Sequence, residues 1–284
     1  MRKSHYIAIV LAACVVAALY YGVNTIPPAK KPEKQGQPMN MAQQGQPAVK
    51  AASPDSILAA SKAALPEHAK AEIDAIEKKN SNMSDSAGMV LNYKELAKLW
   101  QEHKNIPVAA YYYAKAAKLE NSEKNLNFAG QLFLDLLHEA SSPGMQMWEA
   151  EQSIACFKQS LAVNPDDDTV KMALAAAYIE GAGETMQGVQ LLLGITRAKP
   201  DNIPANLMLG RLAVQSGQFD KAISRFEGIL KQEPKNTEAL YFMAEAYKGK
   251  GDKTKAIALF EECKKIVNKP EFSNEIDNYI NSFK

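Results

Sequence analysis

The sequence predicts an all-α fold, in which two-helix hairpins stack side by side as a solenoid behind a membrane-spanning helix. Three prolines, Pro165, Pro200 and Pro234, lie 35 and 34 residues apart with few other helix breakers between them. That spacing equals the length of one helical hairpin. Small and large side chains recur at fixed places within the period, and an apolar run near the N-terminus is long enough to cross a bilayer.

The N-terminal part of the chain predicts a transmembrane helix over residues 6–26, after a short segment at residues 1–5. From Ser4 to Ala29 the chain contains no Lys, Arg, Asp or Glu. At 1.5 Å per residue, roughly 21 apolar residues reach about 31 Å, the thickness of a bilayer core. An uncleaved membrane anchor is therefore the favoured interpretation.

Two other fates of this segment stay open. Cleavage as a signal peptide is disfavoured, because the apolar region of such peptides is only about 7–15 residues long. Lipid modification of Cys14 is the second alternative, since Leu11-Ala12-Ala13 before it resembles a bacterial lipoprotein motif. Against this alternative, apolar residues continue after Cys14, where a polar tether would be expected.

The charges that flank the apolar run predict its orientation. Arg2 and Lys3 precede it closely, whereas Lys30, Lys31 and Lys34 follow at a greater distance. Together with the α-amino group, the nearer charges favour a cytoplasmic N-terminus. The rest of the chain is then expected outside the cytoplasm, in the periplasmic or extracytoplasmic space.

The next two segments predict a linker and a leading helical segment. Residues 27–54 are rich in Pro, Gln, Gly, Ala and Lys without hydrophobic periodicity, which is typical of a disordered linker. A flexible chain of this length spans about 30 Å. Residues 55–89 predict helix, with a new helix beginning near Pro66 because proline suits a first turn. We expect this segment to pack on the first hairpin as a cap.

Five hairpins are predicted between residues 90 and 270. Each proline is taken as position 32 of a 34-residue unit, and Asn121 and Asn268 hold that place in the first and last units. The units then cover residues 90–122, 123–167, 168–202, 203–236 and 237–270. Position 8 is small, as Ala97, Gly130, Ala175, Gly210 and Ala244. Position 20 is also small, as Ala109, Ser153, Gly188, Ala222 and Ala256. Position 24, on the same helical face as position 20, is large: Tyr113, Phe157, Leu192, Phe226 and Phe260.

This pattern resembles the tetratricopeptide repeat (TPR), a helix-turn-helix unit with small and large residues at these positions. The resemblance implies a right-handed superhelical solenoid of about five units, closed by a C-terminal capping helix over residues 271–284. Two units depart from the pattern. The second has about ten extra residues around Ser141 to Gly144, and the third has one extra near Gly181 to Gly183. Both insertions are rich in turn formers and predict lengthened loops.

The sequence contains no arrangement of residues that indicates catalysis. The four histidines fall in unrelated places, and no zinc-protease, paired-cysteine, nucleophile-elbow or phosphate-loop motif occurs. Asp166 to Asp168 follow Pro165 and predict a helix cap rather than a metal site. A net charge of +1 gives no basic surface for nucleic acid. We therefore predict a non-enzymatic chain without catalytic residue, metal site or cofactor.

The cysteines do not predict a disulfide framework. Cys156 and Cys263 lie on the second helices of units three repeats apart, too distant in a solenoid to bridge. Cys263 replaces the small residues Ala116 and Ser160 of other units, which predicts a small buried side chain.

The resemblance also implies a peptide-binding groove on the concave surface, lined by the first helix of each unit. Positions 5 and 9 of those helices supply the predicted groove residues: Lys94, Lys98, Asn127, Gln131, Met172, Leu207, Arg211, Tyr241 and Glu245. The mixture of apolar and charged side chains suits a peptide with an apolar anchor and flanking charge. The carboxylate clamp of chaperone-binding members is not matched, since Lys98 and Gln131 replace asparagines and Met172 replaces a basic residue.

The resemblance implies a membrane-anchored scaffold or adaptor of the cell envelope, with protein partners that the residues do not identify. Two alternatives remain open. In the first, the chain is a self-assembling structural protein and forms homo-oligomers through the end or the convex face of the solenoid. In the second, it is a non-catalytic subunit of an envelope-assembly or cytochrome-maturation complex.

Overall fold

The structure, a computed structural model, describes residues 50–284. Helices dominate this range, and no β-strand occurs in it, as the sequence predicts. The predicted membrane helix over residues 6–26, Cys14 and most of the predicted linker lie outside the described residues. Within residues 50–284, no helix is both long enough and apolar enough to cross a membrane.

Thirteen α-helices and one π-helical turn follow one another through residues 50–284. They are α1 (Pro54–Ala63), α2 (Glu67–Ser81), α3 (Ser86–Glu102), α4 (Ile106–Glu120), α5 (Glu123–Leu136), α6 (Pro143–Val163), α7 (Asp168–Ala176) with the π-turn (Ala177–Gly181), α8 (Thr185–Ala198), α9 (Ile203–Gln215), α10 (Phe219–Gln232), α11 (Thr237–Gly249), α12 (Lys253–Val267) and α13 (Pro270–Phe283).

Side-chain caps fix where many of these helices begin. The side chain of Asp167 accepts hydrogen bonds from the N–H groups of Thr169 and Val170 at the start of α7. Asn202 and Asn236 cap α9 and α11 in the same way. Each cap satisfies an N–H group that has no partner inside the helix. The interpretation of the aspartates after Pro165 as a helix cap is confirmed.

The helices form five hairpins that stack in chain order. The pairs are α3 with α4, α5 with α6, α7 and its π-turn with α8, α9 with α10, and α11 with α12. The second helix of each hairpin also contacts the first helix of the next, and α13 packs on α12 at the end. Each hairpin buries its apolar faces against its neighbours, which is the packing logic of a TPR-like solenoid.

Small residues of the first helix allow large residues of the second helix to approach closely. A Cβ atom on Gly130 would lie 2.8 Å from the Phe157 ring, and one on Gly210 would lie 2.5 Å from the Phe226 ring. Both rings are almost completely buried. The small and large residues that recur in the sequence are therefore the residues that contact each other within these hairpins.

The leading segment packs on the first hairpin. Helix α2 contacts α3, and α1 contacts α4. The hydroxyl of Tyr112 in α4 donates a hydrogen bond to Oε1 of Glu77 in α2 at 2.7 Å. Lys62 of α1 approaches the other oxygen of Glu77, also at 2.7 Å. The predicted capping contact is confirmed.

Residues 50–53 reach beyond the first hairpin, which the sequence did not predict. The N–H of Ala52 donates to the carbonyl of Gly144 at 2.8 Å, at the start of α6. Ala51, Ala52 and Ile57 pack against the buried cluster that contains Trp148. We call residues 50–53 the strap, because they fasten the start of the described chain to the second hairpin.

The extra residues of the second hairpin mostly extend a helix and lengthen the loop only slightly. Helix α6 begins at Pro143, ten residues before Ser153, whereas α10 begins at Phe219, three residues before the equivalent Ala222. Trp148, inside the added turns, is buried and packs edge-on against Phe133 at 5.4 Å. The predicted longer loop is present, since residues 137–142 connect these helices whereas residues 216–218 connect those of the fourth hairpin. Most of the added residues are helical instead, because the added turns carry an aromatic side chain that the core can bury.

The extra residue of the third hairpin also lies inside a helix. Ala177–Gly181 form a π-turn, and the N–H of Ala182 donates to the carbonyl of Ala177, five residues back, at 3.1 Å. A π-turn absorbs one additional residue without ending the helix. Tyr178 stays buried as a result, so the predicted longer loop is replaced by helix.

Candidate functional site

The nine predicted groove residues all lie on the first helices of the hairpins. Lys94 and Lys98 are in α3, Asn127 and Gln131 in α5, Met172 in α7, Leu207 and Arg211 in α9, and Tyr241 and Glu245 in α11. Their surroundings differ from one hairpin to the next.

The first two of these residues border a depression among α3, α4 and α5, which we call the α3–α5 depression. Its volume is about 590 Å³, and Lys94 and Lys98 line it together with Leu91, Tyr113 and Phe128. Leu91 is 68% exposed and Phe128 is 52% exposed. Large apolar side chains with this exposure, gathered around one concavity, are typical of a site that another molecule covers.

Tyr113 forms part of the wall of this depression. Its ring meets the ring of Phe128 edge-on at 5.7 Å, and its hydroxyl donates to Oε1 of Gln101 at 3.1 Å. The equivalent Phe157 and Phe226 are almost completely buried, whereas Tyr113 is half-buried. A phenol keeps a hydrogen-bond partner and therefore stays near the surface. Tyr113 also packs against the buried cluster of the first hairpin, so its ring contributes to the core and lines an open site as well.

The charges around the depression are partly neutralised within the chain. Oε1 of Glu120 accepts from Nζ of Lys94 at 2.5 Å, and its Oε2 accepts from Nδ2 of Asn125 at 2.6 Å. The hydrogen bond from Lys94 lowers the pKa of Glu120 below its usual value. Lys98 and Glu95 are exposed and form no ion pair with other side chains of residues 50–284. The depression therefore offers apolar walls with one unpaired ammonium group, that of Lys98, and one unpaired carboxylate, that of Glu95.

In the second hairpin, polar atoms of Asn127 and Gln131 are buried or hydrogen-bonded within the chain. Nε2 of Gln131 donates to Oδ1 of Asp135 at 2.7 Å. Oδ1 of Asn127 is buried and has no hydrogen-bond partner among the described residues. Neither side chain lines the α3–α5 depression, although both occupy predicted groove positions.

Met172 and Leu207 provide the apolar middle of the predicted groove, but both are half-buried. Met172 packs on the cluster formed by Leu192 and its neighbours, and Leu207 packs on a separate cluster around Phe226. Part of each side chain is thus used to hold adjacent hairpins together. Only the remainder is open to a ligand.

Arg211 and Tyr241 are held by contacts within the chain. The guanidinium of Arg211 lies 5.2 Å from the centre of the Phe242 ring and 3.7 Å from Oε1 of Glu238. Tyr241 meets the Phe260 ring edge-on at 5.3 Å, and burial raises the pKa of Tyr241 above its usual value. Arg211 therefore links α9 to α11.

The closing helix α13 takes part in this end of the predicted groove. Oε2 of Glu245 lies 3.3 Å from Nζ of Lys248. The same ammonium sits 4.2 Å from the centre of the Tyr279 ring of α13. Tyr279 in turn packs on Phe260. The charged positions of the fifth hairpin are therefore engaged by the capping helix.

Sequence reasoning missed two side chains of the α3–α5 depression. Leu91 stands three residues before Lys94, at position 2 of its unit, and could have been found from that register. Phe128 follows Asn127 directly, and no sequence signal distinguishes its exposed ring from a core residue. Cys156 and Cys263 are both free and buried, and the predicted burial of Cys263 is confirmed. No cluster of three or more potential metal-ligating side chains occurs within residues 50–284.

Comparison with known proteins supports the repeat assignment. Residues 213–273, from the end of α9 into α13, match the family model of the tetratricopeptide repeat. No curated protein matches the chain significantly.

Three solved structures show the range of similar folds. YrrB, described as a TPR protein with an unusual peptide-binding site, is 18% identical, with 74% of this chain and 99% of that chain covered and a TM-score of 0.47. MamA (residue 41 to the end) from Desulfovibrio magneticus RS-1 is 16% identical, with 66% and 97% covered and a TM-score of 0.48. PilW, a type IV pilus biogenesis factor, is 16% identical, with 63% and 78% covered and a TM-score of 0.47.

The family match falls on the hairpins whose small and large residues follow the pattern most closely, including Gly210 against Phe226 and Ala256 before Phe260. The preceding hairpins repeat the same helix-turn-helix order. Residues 213–273 therefore match the tetratricopeptide-repeat family, and the hairpins before them share its order of two helices and a turn.

Proposed function

We propose that this chain is a scaffold or adaptor that binds segments of other proteins on the concave surface of its repeats, while residues 6–26 hold it at a membrane. The observation that carries the proposal is the α3–α5 depression, in which Leu91 and Phe128 are exposed beside an uncommitted Lys98. Leu91 and Phe128 lie on α3 and α5, the first helices of two neighbouring hairpins, and the family resemblance implies that first helices line the concave surface.

The lining of the depression favours one kind of ligand. Leu91, Tyr113 and Phe128 form walls for a large apolar side chain, and Ala116 and Ala117 leave space between them. Covering a side chain such as Phe128 contributes on the order of 1–2 kcal/mol to binding. The ammonium of Lys98 suits an acidic group next to that anchor. The ligand is thus a peptide segment with an apolar anchor and an adjacent carboxylate, recognised through a few central contacts.

The location of the repeats completes the proposal. The apolar run at residues 6–26 and the nearer charges Arg2 and Lys3 favour a cytoplasmic N-terminus and an extracytoplasmic repeat domain. A linker of about 30 Å would let the groove reach partners beside the membrane. Such an arrangement suits a protein that brings envelope components together.

Binding in the groove can be tested by comparing variants of the full chain. Partners that copurify from detergent-solubilised membranes would be quantified for Leu91→Asp with Phe128→Asp, and for Leu207→Glu with Tyr241→Ala. We expect the first double variant to lose the partners, because its carboxylates would stand among apolar walls. Met186→Asp is the matched control, since Met186 is 66% exposed on α8, outside the depression. Retention of every partner by both double variants would refute the groove and favour self-assembly.

The membrane anchor has its own test. Mass spectrometry of the mature protein would show an intact N-terminal segment if residues 6–26 remain as an anchor. A diacylglyceryl group on Cys14 would instead identify a lipoprotein, and loss of the apolar run would identify a cleaved signal peptide. Digestion of the repeats by protease added outside intact spheroplasts is expected, and protection there would overturn the proposed orientation.

A further inference from the structure

The fourth hairpin contains a polar pair where most other hairpins have apolar side chains. Positions 4 and 23 of each unit come from its first and second helix. In the first hairpin they are Tyr93 and Tyr112, whose ring centres lie 6.1 Å apart. The equivalent pairs are Leu126 with Cys156, Lys171 with Leu191, and Leu240 with Leu259. In the fourth hairpin the pair is Asn206 and Arg225.

Asn206 fixes the position of the Arg225 guanidinium. Nη1 of Arg225 donates to Oδ1 of Asn206 at 2.8 Å. Nδ2 of Asn206 donates to the carbonyls of Pro200 at 2.8 Å and of Asn202 at 3.0 Å. The amide is therefore fully occupied and cannot rotate freely. One of the five N–H groups of the guanidinium is used in this contact, and the planar fork is oriented by it.

The guanidinium has no counter-ion within the described chain. Arg225 is half-buried, and burial lowers its pKa below the usual value. No carboxylate of residues 50–284 forms an ion pair with it. Partial burial of an unpaired guanidinium costs free energy, and Leu240 with Leu259 in the fifth hairpin shows that an apolar pair can fill this place. The cost is explained if an external anion completes the pair.

An open depression leads to Arg225. Its volume is about 560 Å³, and its lining includes Lys221, Ser224, Arg225 and Gly228 of α10. A Cβ atom on Gly228 would meet nothing within 4 Å, so the approach is unobstructed. Asp201 and Asp220 also line the depression, and Asp220 already pairs with Lys250.

We propose that this depression binds a carboxylate, with the Arg225 guanidinium as its two-pronged donor and Asn206 as the residue that positions it. A guanidinium matches the two oxygens of a carboxylate in a plane. Lys221 and Arg225 supply two positive charges and Asp201 supplies one negative charge, while Asp220 is already neutralised by Lys250. The single net positive charge that remains suits the single charge of a carboxylate better than the double charge of phosphate. The site lies between α9 and α10, separate from the α3–α5 depression, and is independent of the function proposed above.

Gly228 provides a matched pair of variants. It stands three residues after Arg225 on α10, so a side chain placed there faces the guanidinium. Gly228→Glu supplies a carboxylate from within the chain, and Gly228→Gln supplies a neutral side chain of the same size. We expect the glutamate variant to block binding of an added carboxylate and the glutamine variant to retain it. Both variants fill open space and should fold.

The experiment is an NMR titration of the full chain in detergent, labelled with ¹⁵N-arginine. Acetate is added at constant ionic strength, and the chemical shifts of the arginine Nε–H signals are followed. The Arg225 signal should shift saturably, while those of Arg197 and Arg211 should not. Gly228→Glu should weaken the response by on the order of tenfold, because its own carboxylate competes for a charge-assisted hydrogen bond from the guanidinium. An equal response to chloride, or unchanged binding in Gly228→Glu, would overturn the proposal.

Further probes identify the source of the carboxylate. Inorganic phosphate should bind more weakly than acetate, and tighter binding would contradict the assignment. A capped Gly-Glu-Gly peptide should bind more tightly than acetate if the site takes an acidic side chain of a protein partner, with the Gly-Gln-Gly peptide as its control. Equal affinity for acetate and the glutamate peptide would assign the site to a small carboxylate. These measurements do not involve the groove, so their failure leaves the scaffold proposal untouched.

Discussion

Glu149 shows how strongly one residue can depend on its surroundings. It lies on α6, is 1% exposed, and its Oε2 has no hydrogen-bond partner among the described residues. Burial raises the pKa of its carboxyl group from 4.5 to about 7, because the ionised form loses its hydration. The sequence gives no sign of this, since Glu151 two residues later is fully solvated.

The raised pKa predicts that stability falls with increasing pH. Between pH 4.5 and about 7 the folded state binds more protons at Glu149 than the unfolded state, so the free energy of unfolding decreases as pH rises. The loss approaches about 3 kcal/mol above pH 7, at about 1.4 kcal/mol per pKa unit. Glu149→Gln cannot ionise and should lack this loss when urea unfolding is compared at pH 5 and pH 8. Glu151→Gln, exposed on the same helix, should follow the wild type, and equal pH dependence in both variants would contradict the prediction.

At the scale of the helices, glycines decide how closely two elements approach. Gly210 and Gly194 both lie inside helices, but a Cβ atom would contact the Phe226 ring at the first and nothing within 4 Å at the second. From the sequence alone, Gly210 is predicted to be a packing position, because small residues recur at the same place in each repeat unit. The close contact itself depends on the neighbouring helix.

Gly210→Ala should therefore destabilise the fourth hairpin. The added carbon would lie 2.5 Å from a ring that is completely buried, and overpacking of this kind costs about 1–3 kcal/mol. Gly194→Ala fills open space on α8 and should stabilise by up to about 1 kcal/mol through helix propensity. Thermal unfolding of the two variants checks this pair. Equal changes in both would show that propensity, not ring contact, dominates at Gly210.

The strap should be released by a side chain at Gly144. A Cβ atom there would lie 3.1 Å from the carbonyl oxygen of Lys50, and the branched side chain of Gly144→Val extends further. Hydrogen exchange of the Ala52 amide, which donates to the Gly144 carbonyl at 2.8 Å, should become faster. Exchange of amides in α9 and α10 serves as the internal control. Unchanged protection of Ala52 would show that the strap tolerates the added side chain.

At the scale of the whole described chain, stability depends on contacts between neighbours in sequence order. Each hairpin touches the next, and α13 covers the fifth through Ile276 and Ile280. A stack of this kind lets one end loosen while the other stays folded. The capping segments at both ends therefore protect the apolar faces that the terminal hairpins would otherwise expose.

Ile280→Asp should unfold the C-terminal end first. It places a charge in the cluster of Phe260 and Ala244 beneath α13, and a buried, unpaired charge costs several kcal/mol. Hydrogen exchange should show lost protection in α11–α13 and retained protection in α3–α6. Asn278→Asp adds the same charge at an exposed position of the same helix and should change neither region. Loss of protection throughout the chain would indicate a single cooperative unit.

The sequence by itself determined the helical hairpins, because small residues such as Gly210 and large residues such as Phe226 recur at positions 8 and 24 of each unit. The same numbering located Lys94 and Lys98 on the first helix of their hairpin. Tertiary structure alone decided that added residues extend α6, that Phe128 stays exposed, and that Arg225 lacks a counter-ion. The physical reason is that the period of apolar residues identifies the apolar face of a single helix. Burial and ion pairing instead depend on which side chains the neighbouring helices place against that face.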